Sequence, residues 1–174
     1  MISRKNCFYI VGNYTLSLRG YGGAGFLVGF FYPAPLPLFY VMAKKKTQKY
    51  WKTKIDKPFH EYIRRRDCDD HTGMTKCVSC NKTVHFSETD AGHFIGRQHL
   101  TTRYDERNVH AQCRKCNRFE YGRQYEYSIA LGEDLAQELL VKSRGMLKLT
   151  DPEWMEIFID YRDKLSDIKA NQSF

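Results

Sequence analysis

Residues 77–117 read CVSCNKTVHFSETDAGHFIGRQHLTTRYDERNVHAQCRKCN. The stretch opens on Cys77-x-x-Cys80 and closes on Cys113-x-x-Cys116, with 32 residues between the pairs. Two such pairs can bring four thiolates to one tetrahedral Zn²⁺, and closed four-cysteine sites of this kind are structural. The alternative is two disulfides or unrelated buried thiols. Paired cysteines in a basic chain without a clear secretory signal favour the metal. The interval between the pairs is long enough for a hairpin with chemistry of its own. It holds His93 on Ala91-Gly92-His93, and Asn108 ahead of the second pair; Asn117 directly follows the last cysteine.

Working outward, Thr83 to Phe86 and Asp90 to Phe94 alternate as short strands do. Ile95 to Arg107 reads as a loop. A helix is expected to start near Cys113 to Asn117. Upstream, Phe59 to Asp67 reads as a short helix, with Phe59, Tyr62, Ile63 and Arg66 on one face and Arg64 and Arg65 turned outward. Before it lies a basic arm, residues 43–58, with Tyr50 and Trp51 inside it. Lys44, Lys45, Lys46, Lys49 and Lys52 are candidate phosphate contacts, and an aromatic among them can stack on an unpaired base. A solvated tail is the alternative. Residues 125–174 read as helices. Tyr125 to Leu131 ends at Gly132, Glu133 to Arg144 ends at Gly145, and Thr150-Asp-Pro-Glu153 is a capping box that opens the last helix. Trp154, Ile157, Phe158, Tyr161, Leu165 and Ile168 keep that last helix apolar on one face.

The 174 residues carry a formal net charge of +8, distributed unevenly. Residues 43–66 hold ten basic and two acidic residues, whereas residues 67–174 hold fifteen basic and eighteen acidic ones. A basic chain suits a nucleic-acid partner without requiring one. Residues 1–42 are apolar and glycine-rich, with Pro33, Pro35 and Pro37 on alternate positions. They read as a disordered extension, or as upstream sequence translated from a mis-assigned start. Their glycines and prolines argue against a membrane helix. Cys7 and Cys68 fall outside the pairs and suit a reducing compartment.

Hydrolysis of a phosphodiester needs a base for the attacking water and positive charge for the oxygens that become anionic. A histidine such as His93 can be that base near neutral pH, or it can be a buried structural histidine. The order Cys-x-x-Cys, Gly-His, Asn, Cys-x-x-Cys-Asn resembles the zinc-containing HNH, or ββα-metal, nucleases. The wider set Phe59-His-Glu-Tyr-Ile-Arg-Arg-Arg-Asp67, Cys77 to Cys80, Ala91-Gly-His-Phe94, Asn108-Val-His-Ala-Gln-Cys113, Cys116-Asn117, Tyr127 and Leu131-Gly132 resembles the lambdoid phage NinG (Rap) recombination family over about residues 50 to 168.

That resemblance implies an α+β fold, a small zinc-stabilised ββα-metal module at residues 59–124 with an N-terminal helix and a C-terminal helical region. It implies an endonuclease acting on branched DNA, such as Holliday junctions, in phage recombination. His93 would be the base, Asn108 the brace of the loop between the strands, and Asn117 a ligand of a catalytic Mg²⁺ or Mn²⁺. Cys77, Cys80, Cys113 and Cys116 would hold structural Zn²⁺. Many HNH enzymes place Asp or His just before the base; here that position is Gly92, and Asp90, on the same strand face, is the substitute. Arg64, Arg65, Arg97 and Arg103 join the lysines as DNA contacts. His85, His99 and His110 read as surface or structural, and Glu120 and Tyr121 as weaker candidates near the metal. Expected partners are DNA, other phage recombination proteins and a second copy of the chain, in the host cytoplasm and away from membranes. An HNH nickase on ordinary duplex and a non-catalytic zinc module that binds DNA are the competing readings.

Overall fold

The computed structural model describes residues 45–174. The expectations for residues 1–42 and for Lys44 lie outside the described residues.

The first helix, α1 (Gln48–Arg66), is longer than the sequence suggests. It begins where the Thr47 hydroxyl accepts the Tyr50 N–H (3.2 Å) and runs without a break through Pro58. The proline removes one backbone hydrogen bond. The loss is tolerated because Trp51, Ile55, Phe59 and Ile63, spaced by four, form one buried stripe. The expected free basic arm is therefore the first half of a docked helix, and the expected boundary between residues 58 and 59 falls inside it. Trp51 is 4% exposed and donates its indole N–H to Asp151 (2.8 Å), so it is not a base-stacking residue. Tyr50 stays exposed, with Lys46 and Lys54 over its ring.

Two antiparallel hairpins follow. Strands β1 (Met74–Lys76) and β2 (Thr83–His85) form the first, and β3 (Thr89–His93) and β4 (Val109–Cys113) the second. In the second hairpin Asp90 pairs with Gln112, Ala91 with Ala111, Gly92 with His110 and His93 with Val109. Successive side chains alternate in face, so Ala91, His93, Val109 and Ala111 share one side, and Asp90, Gly92, His110 and Gln112 the other. The first side packs on α1: Ala91 and Val109 join Phe59, Ile63, Trp154 and Tyr161 in the main core. Arg66 and Asp67 at the end of α1 bind the free edge of β4, through Val109 O (2.9 Å) and Ala111 N–H (2.7 Å).

The loop between β3 and β4 contains a short helix, α2 (Leu100–Arg103), and a 3₁₀ turn at Glu106–Asn108. After β4 the expected helix is only a five-residue π-helical turn, Lys115–Phe119. Regular helix resumes at α3 (Gln124–Leu131) and α4 (Glu133–Ser143). Gly132 between them has φ +84, a conformation that L side chains rarely adopt. The last helix, α5 (Asp151–Asn171), starts at the expected capping box, where the Glu153 carboxylate accepts the Thr150 N–H (2.7 Å). It packs along α1. The outcome is a mixed α+β architecture with two small sheets. Among the described residues no helix is long and apolar enough to cross a membrane.

Phe59 is the keystone of this packing, fully buried, with ring centroids 4.7 Å from Tyr161 and 5.3 Å from Tyr104. Phe59→Ala is expected to cost about 3–5 kcal/mol in a denaturant titration. A loss under about 1 kcal/mol would show that α1 is not docked as described.

Candidate active site and metal centre

The Sγ atoms of Cys77, Cys80, Cys113 and Cys116 all lie within 4.8 Å of one another, Cys80 and Cys113 at 3.9 Å. Four sulfurs on a tetrahedral ion with bonds near 2.3 Å stand roughly 3.8 Å apart, so the donor set fits a metal ion and is compatible with structural zinc. None of the described cysteines forms a disulfide. Burial pushes the Cys77 thiol up, but backbone N–H groups of Cys113, Cys80 and Ser79 more than offset this and hold it below its ordinary value. Such N–H contacts favour a thiolate ready for a metal. The first knuckle turns at Asn81 (φ 57), and Val84 packs on the sulfurs.

Asn108 is wholly buried and satisfied. Its side-chain oxygen accepts the Ile95 N–H (2.7 Å), and its amide nitrogen donates to Ile95 O and Thr102 O (3.0 Å each). It thus ties both ends of the loop to the start of β4. The loop carries Arg103, whose carbonyl lies 3.2 Å from His93 Nε2. A carbonyl only accepts, so Nε2 bears the proton and Nδ1 keeps the lone pair. Burial, then the neighbouring His60, then Arg97 push the His93 pKa down to about 4. At neutral pH His93 is therefore uncharged and able to accept a proton.

On the opposite face of the hairpin, Asp90 accepts a hydrogen bond from Asn117 (3.0 Å) and two from Arg118 (2.6 Å each). Burial raises the Asp90 pKa, but Arg118 and Asn117 more than offset it and keep the carboxylate charged. Asp90 and Asn117 are thus in contact through the Asn117 amide nitrogen, while His93 projects to the other face. The strand alternation puts the candidate base on one face of the hairpin and the Asp90 carboxylate on the other. Gly92 has a local reason. A Cβ there would overlap the Gln112 side chain, which is buried and donates to Ser79 Oγ and Gly122 O (2.7 Å each). His110 faces this side too and meets the Tyr127 hydroxyl at 3.2 Å.

The candidate DNA contacts divide. Lys45, Lys46, Lys49 and Arg97 are exposed, Lys52 is half-buried, and Arg64 lies partly buried with its Nε on His60 O (3.3 Å). Two expectations fail. Arg65 does not point outward: it bonds Gln172 (2.9 Å) and stacks on Phe86, with its centre 4.6 Å from that ring. Arg103 is 9% exposed and holds Asp56 in a two-pronged ion pair, which joins the loop to α1. The sequence reading did not single out His60. Its ring stands 5.6 Å from that of His93, and its pKa is also pushed to about 4, chiefly by burial. The signal that could have found it is the four-residue step from Asp56 to His60 on the face of α1 that meets the loop.

Two measurements follow from this geometry. Purified protein is expected to hold one tightly bound metal ion per chain. Cys77→Ser and Cys113→Ser should lose it and melt at lower temperature, since structural metal binding is also folding free energy; full metal content and an unchanged melt in both would refute the site. The second concerns pH. The folded His93 pKa lies below its unfolded value near 6.5, so the unfolded chain takes the proton first. Stability from this group is complete above pH 6.5 and falls as pH drops toward 4, by on the order of 3 kcal/mol. His93→Gln should flatten stability against pH in that window relative to wild type, and identical slopes would rule the effect out. Thiolates at the metal protonate in both proteins alike and do not affect the comparison.

Comparison with known proteins places the chain. The profile described as "Bacteriophage Lambda NinG protein" matches residues 41–171. The proteins ninG of Escherichia phage 933W and Salmonella phage P22 are each 30% identical over 132 residues, 74% of this chain and 63% and 62% of theirs. That of Escherichia phage lambda is 29% identical over the same length. The chain thus spans under two thirds of the length of these relatives. No solved structure matches. The chain belongs to the NinG family of bacteriophage proteins.

Proposed function

We propose that this protein is a metal-dependent endonuclease of the HNH, ββα-metal type, hydrolysing phosphodiester bonds in branched DNA during phage recombination. One observation carries the reading. Asn108 fixes a loop whose Arg103 carbonyl holds His93 in the tautomer that leaves Nδ1 free for a proton. This is the arrangement of an oriented general base.

In the proposed reaction a water gives its proton to His93 Nδ1 as its oxygen bonds to phosphorus. The bond from phosphorus to the leaving 3′-oxygen breaks, and that oxygen is reprotonated from solvent. Asp90 and Asn117 supply oxygen donors of the kind that Mg²⁺ and Mn²⁺ take, provided Arg118 gives up the carboxylate. Such an ion would stabilise charge on the phosphate oxygens. Zn²⁺ on the four cysteines is structural in this reading, clamping β4 to the first knuckle.

The choice of branched over ordinary duplex DNA draws on a surface feature. Phe119, Tyr121 and Tyr125 are 76%, 94% and 76% exposed within seven residues just past the knuckle. Tyr121 and Arg123 both hold left-handed backbone there (φ 50 and 44), an uncommon conformation for residues other than glycine. Exposed rings of this kind suit bases left unstacked at a branch point. On α1, Lys49, Lys54 and Lys57 face solvent and suit the phosphate backbone.

The test is cleavage of a four-way junction beside a linear duplex, with Mg²⁺ or Mn²⁺ present. Junction cutting is expected; cutting of both substrates alike would favour a duplex nickase, and binding without cutting a non-catalytic DNA-binding module. His93→Ala should slow cleavage about 10²–10⁴-fold with binding and metal content intact. Asn117→Ala and Asp90→Ala should also slow it, yet recover in part at raised Mn²⁺, since mass action can fill a weakened site. Added metal cannot replace a base, so His93→Ala should show no recovery. Full-rate cleavage by His93→Ala would end the proposal. Charge reversal at Lys49, Lys54 and Lys57 should weaken DNA binding and flatten its salt dependence. Removal of the whole segment would instead take Trp51 and Ile55 out of the core.

A further inference from the structure

Among the described residues three buried side-chain polar atoms have no hydrogen-bond partner: His60 Nε2, His93 Nδ1 and Thr101 Oγ1. Two of the three belong to neighbouring imidazoles. The rings stand edge-on, with centroids 5.6 Å apart and planes at 84°. A buried nitrogen without a partner costs about 1–3 kcal/mol, and most buried polar groups in folded proteins avoid that cost. Two orphaned nitrogens on neighbouring rings point to bound groups that complement them, an acceptor for a protonated His60 Nε2 and a donor such as water for the His93 Nδ1 lone pair.

The surrounding charge says which kind of group. The positive charges of Arg64, Arg97 and Arg103 act on His60, and that of Arg97 acts on His93 too. The nearby negative charge is Asp56, and its carboxylate is already taken by Arg103 (3.2 and 2.5 Å) and by the Tyr104 hydroxyl (3.0 Å). Arg103 and Asp56 offset each other, which leaves Arg64 and Arg97 as the net charges, and a cation would meet repulsion from both. An anion meets their attraction and two imidazole nitrogens. Arg97 is exposed on the turn after β3, where an incoming phosphate can reach it first.

We infer that His60 is a second catalytic residue: its Nε2–H and His93 Nδ1 flank the scissile phosphate, His60 donating a hydrogen bond to a non-bridging phosphoryl oxygen while His93 faces the attacking water. The inference rests on the nuclease reading above and deepens it. His60 transfers no proton; it donates one hydrogen bond that strengthens as the phosphoryl oxygen gains negative charge. A donor aimed at developing charge in a site shielded from water is worth far more than one in bulk solvent. The assignment also explains why α1 carries a histidine beside Phe59, where an apolar residue would remove the orphaned nitrogen.

The experiment compares full-length wild type, His60→Gln and His60→Phe in single-turnover junction cleavage, junction binding and thermal melting. His60→Phe, which removes the donor, is expected to cut about 10²–10³-fold more slowly, the range for loss of one such donor, and His60→Gln, whose amide can still donate, should cut faster than His60→Phe. Junction affinity should stay near that of wild type, since many phosphate contacts share it. His60→Phe should melt at the wild-type temperature or above, because it removes a buried polar atom that lacks a partner. Wild-type cleavage by His60→Phe overturns the inference and leaves the nuclease reading standing. Loss of cleavage with a lowered melt in both variants assigns His60 to the fold and overturns it also. A wild-type protein that cuts no DNA overturns the nuclease reading itself, and with it this inference.

Discussion

The candidate site depends on three hydrogen bonds made by one buried amide. Asn108 replaces the water that Ile95 N–H, Ile95 O and Thr102 O would otherwise need. Without those bonds a loop of a dozen residues would carry unpaired backbone groups into the core, at about 1–3 kcal/mol each. With them, the loop becomes as fixed as the strands it joins. What it presents then follows. Arg103 turns its carbonyl toward His93 and its guanidinium toward Asp56 on α1. One residue therefore orients the candidate base through its carbonyl and ties down the covering helix through its side chain.

The strands β2 and β3, the paired cysteines and the capped last helix are legible because each is a local pattern, whereas β1 and β4 are not and the brace at Asn108 comes only from the family resemblance. Spacing brings the two sulfurs of each pair together, the contact of the first knuckle with β4 joins the pairs, and Thr150 with Glu153 marks a helix start whatever lies around it. The full length of the first helix is not legible in the sequence, for a physical reason. A proline and a run of lysines both argue against helix, and Trp51 and Ile55 argue for it only when read together with Phe59 and Ile63 across the proline. Burial against α5, more than a hundred residues away in the chain, decides between them. The same holds for Arg65 and Arg103. Both look like surface cations in sequence, and both find partners far along the chain, Gln172 for one and Asp56 for the other.

Strand alternation also explains what the sequence could not resolve about the site. Asp90 and Gly92 share a face, so a carboxylate two residues upstream of Gly92 is well placed to meet Asn117. The same alternation turns His93 away from them. A base and a metal on opposite sides of a strand end are compatible with in-line displacement, in which the attacking and leaving oxygens lie on opposite sides of phosphorus. The scissile phosphate would then sit across the end of β3. The Gln112 amide, buried under Gly92 by Ser79 and Gly122, excludes any larger side chain at the intervening position.

The burial of His93 sets two demands against each other. Desolvation keeps the imidazole neutral, which a base requires, but a pKa of about 4 also makes it a weak one. In the proposed reaction an arriving phosphate would change this balance. Its negative charge offsets Arg97 and stabilises the imidazolium, so the pKa rises at the moment a proton must be accepted. In the proposed reaction the free protein would hold His93 uncharged, and the phosphate would supply the charge that makes it basic. His60, under the same desolvation and the same arginines, responds in the same direction. In this structure the anion would be both the reactant and the condition that readies the two imidazoles to act on it.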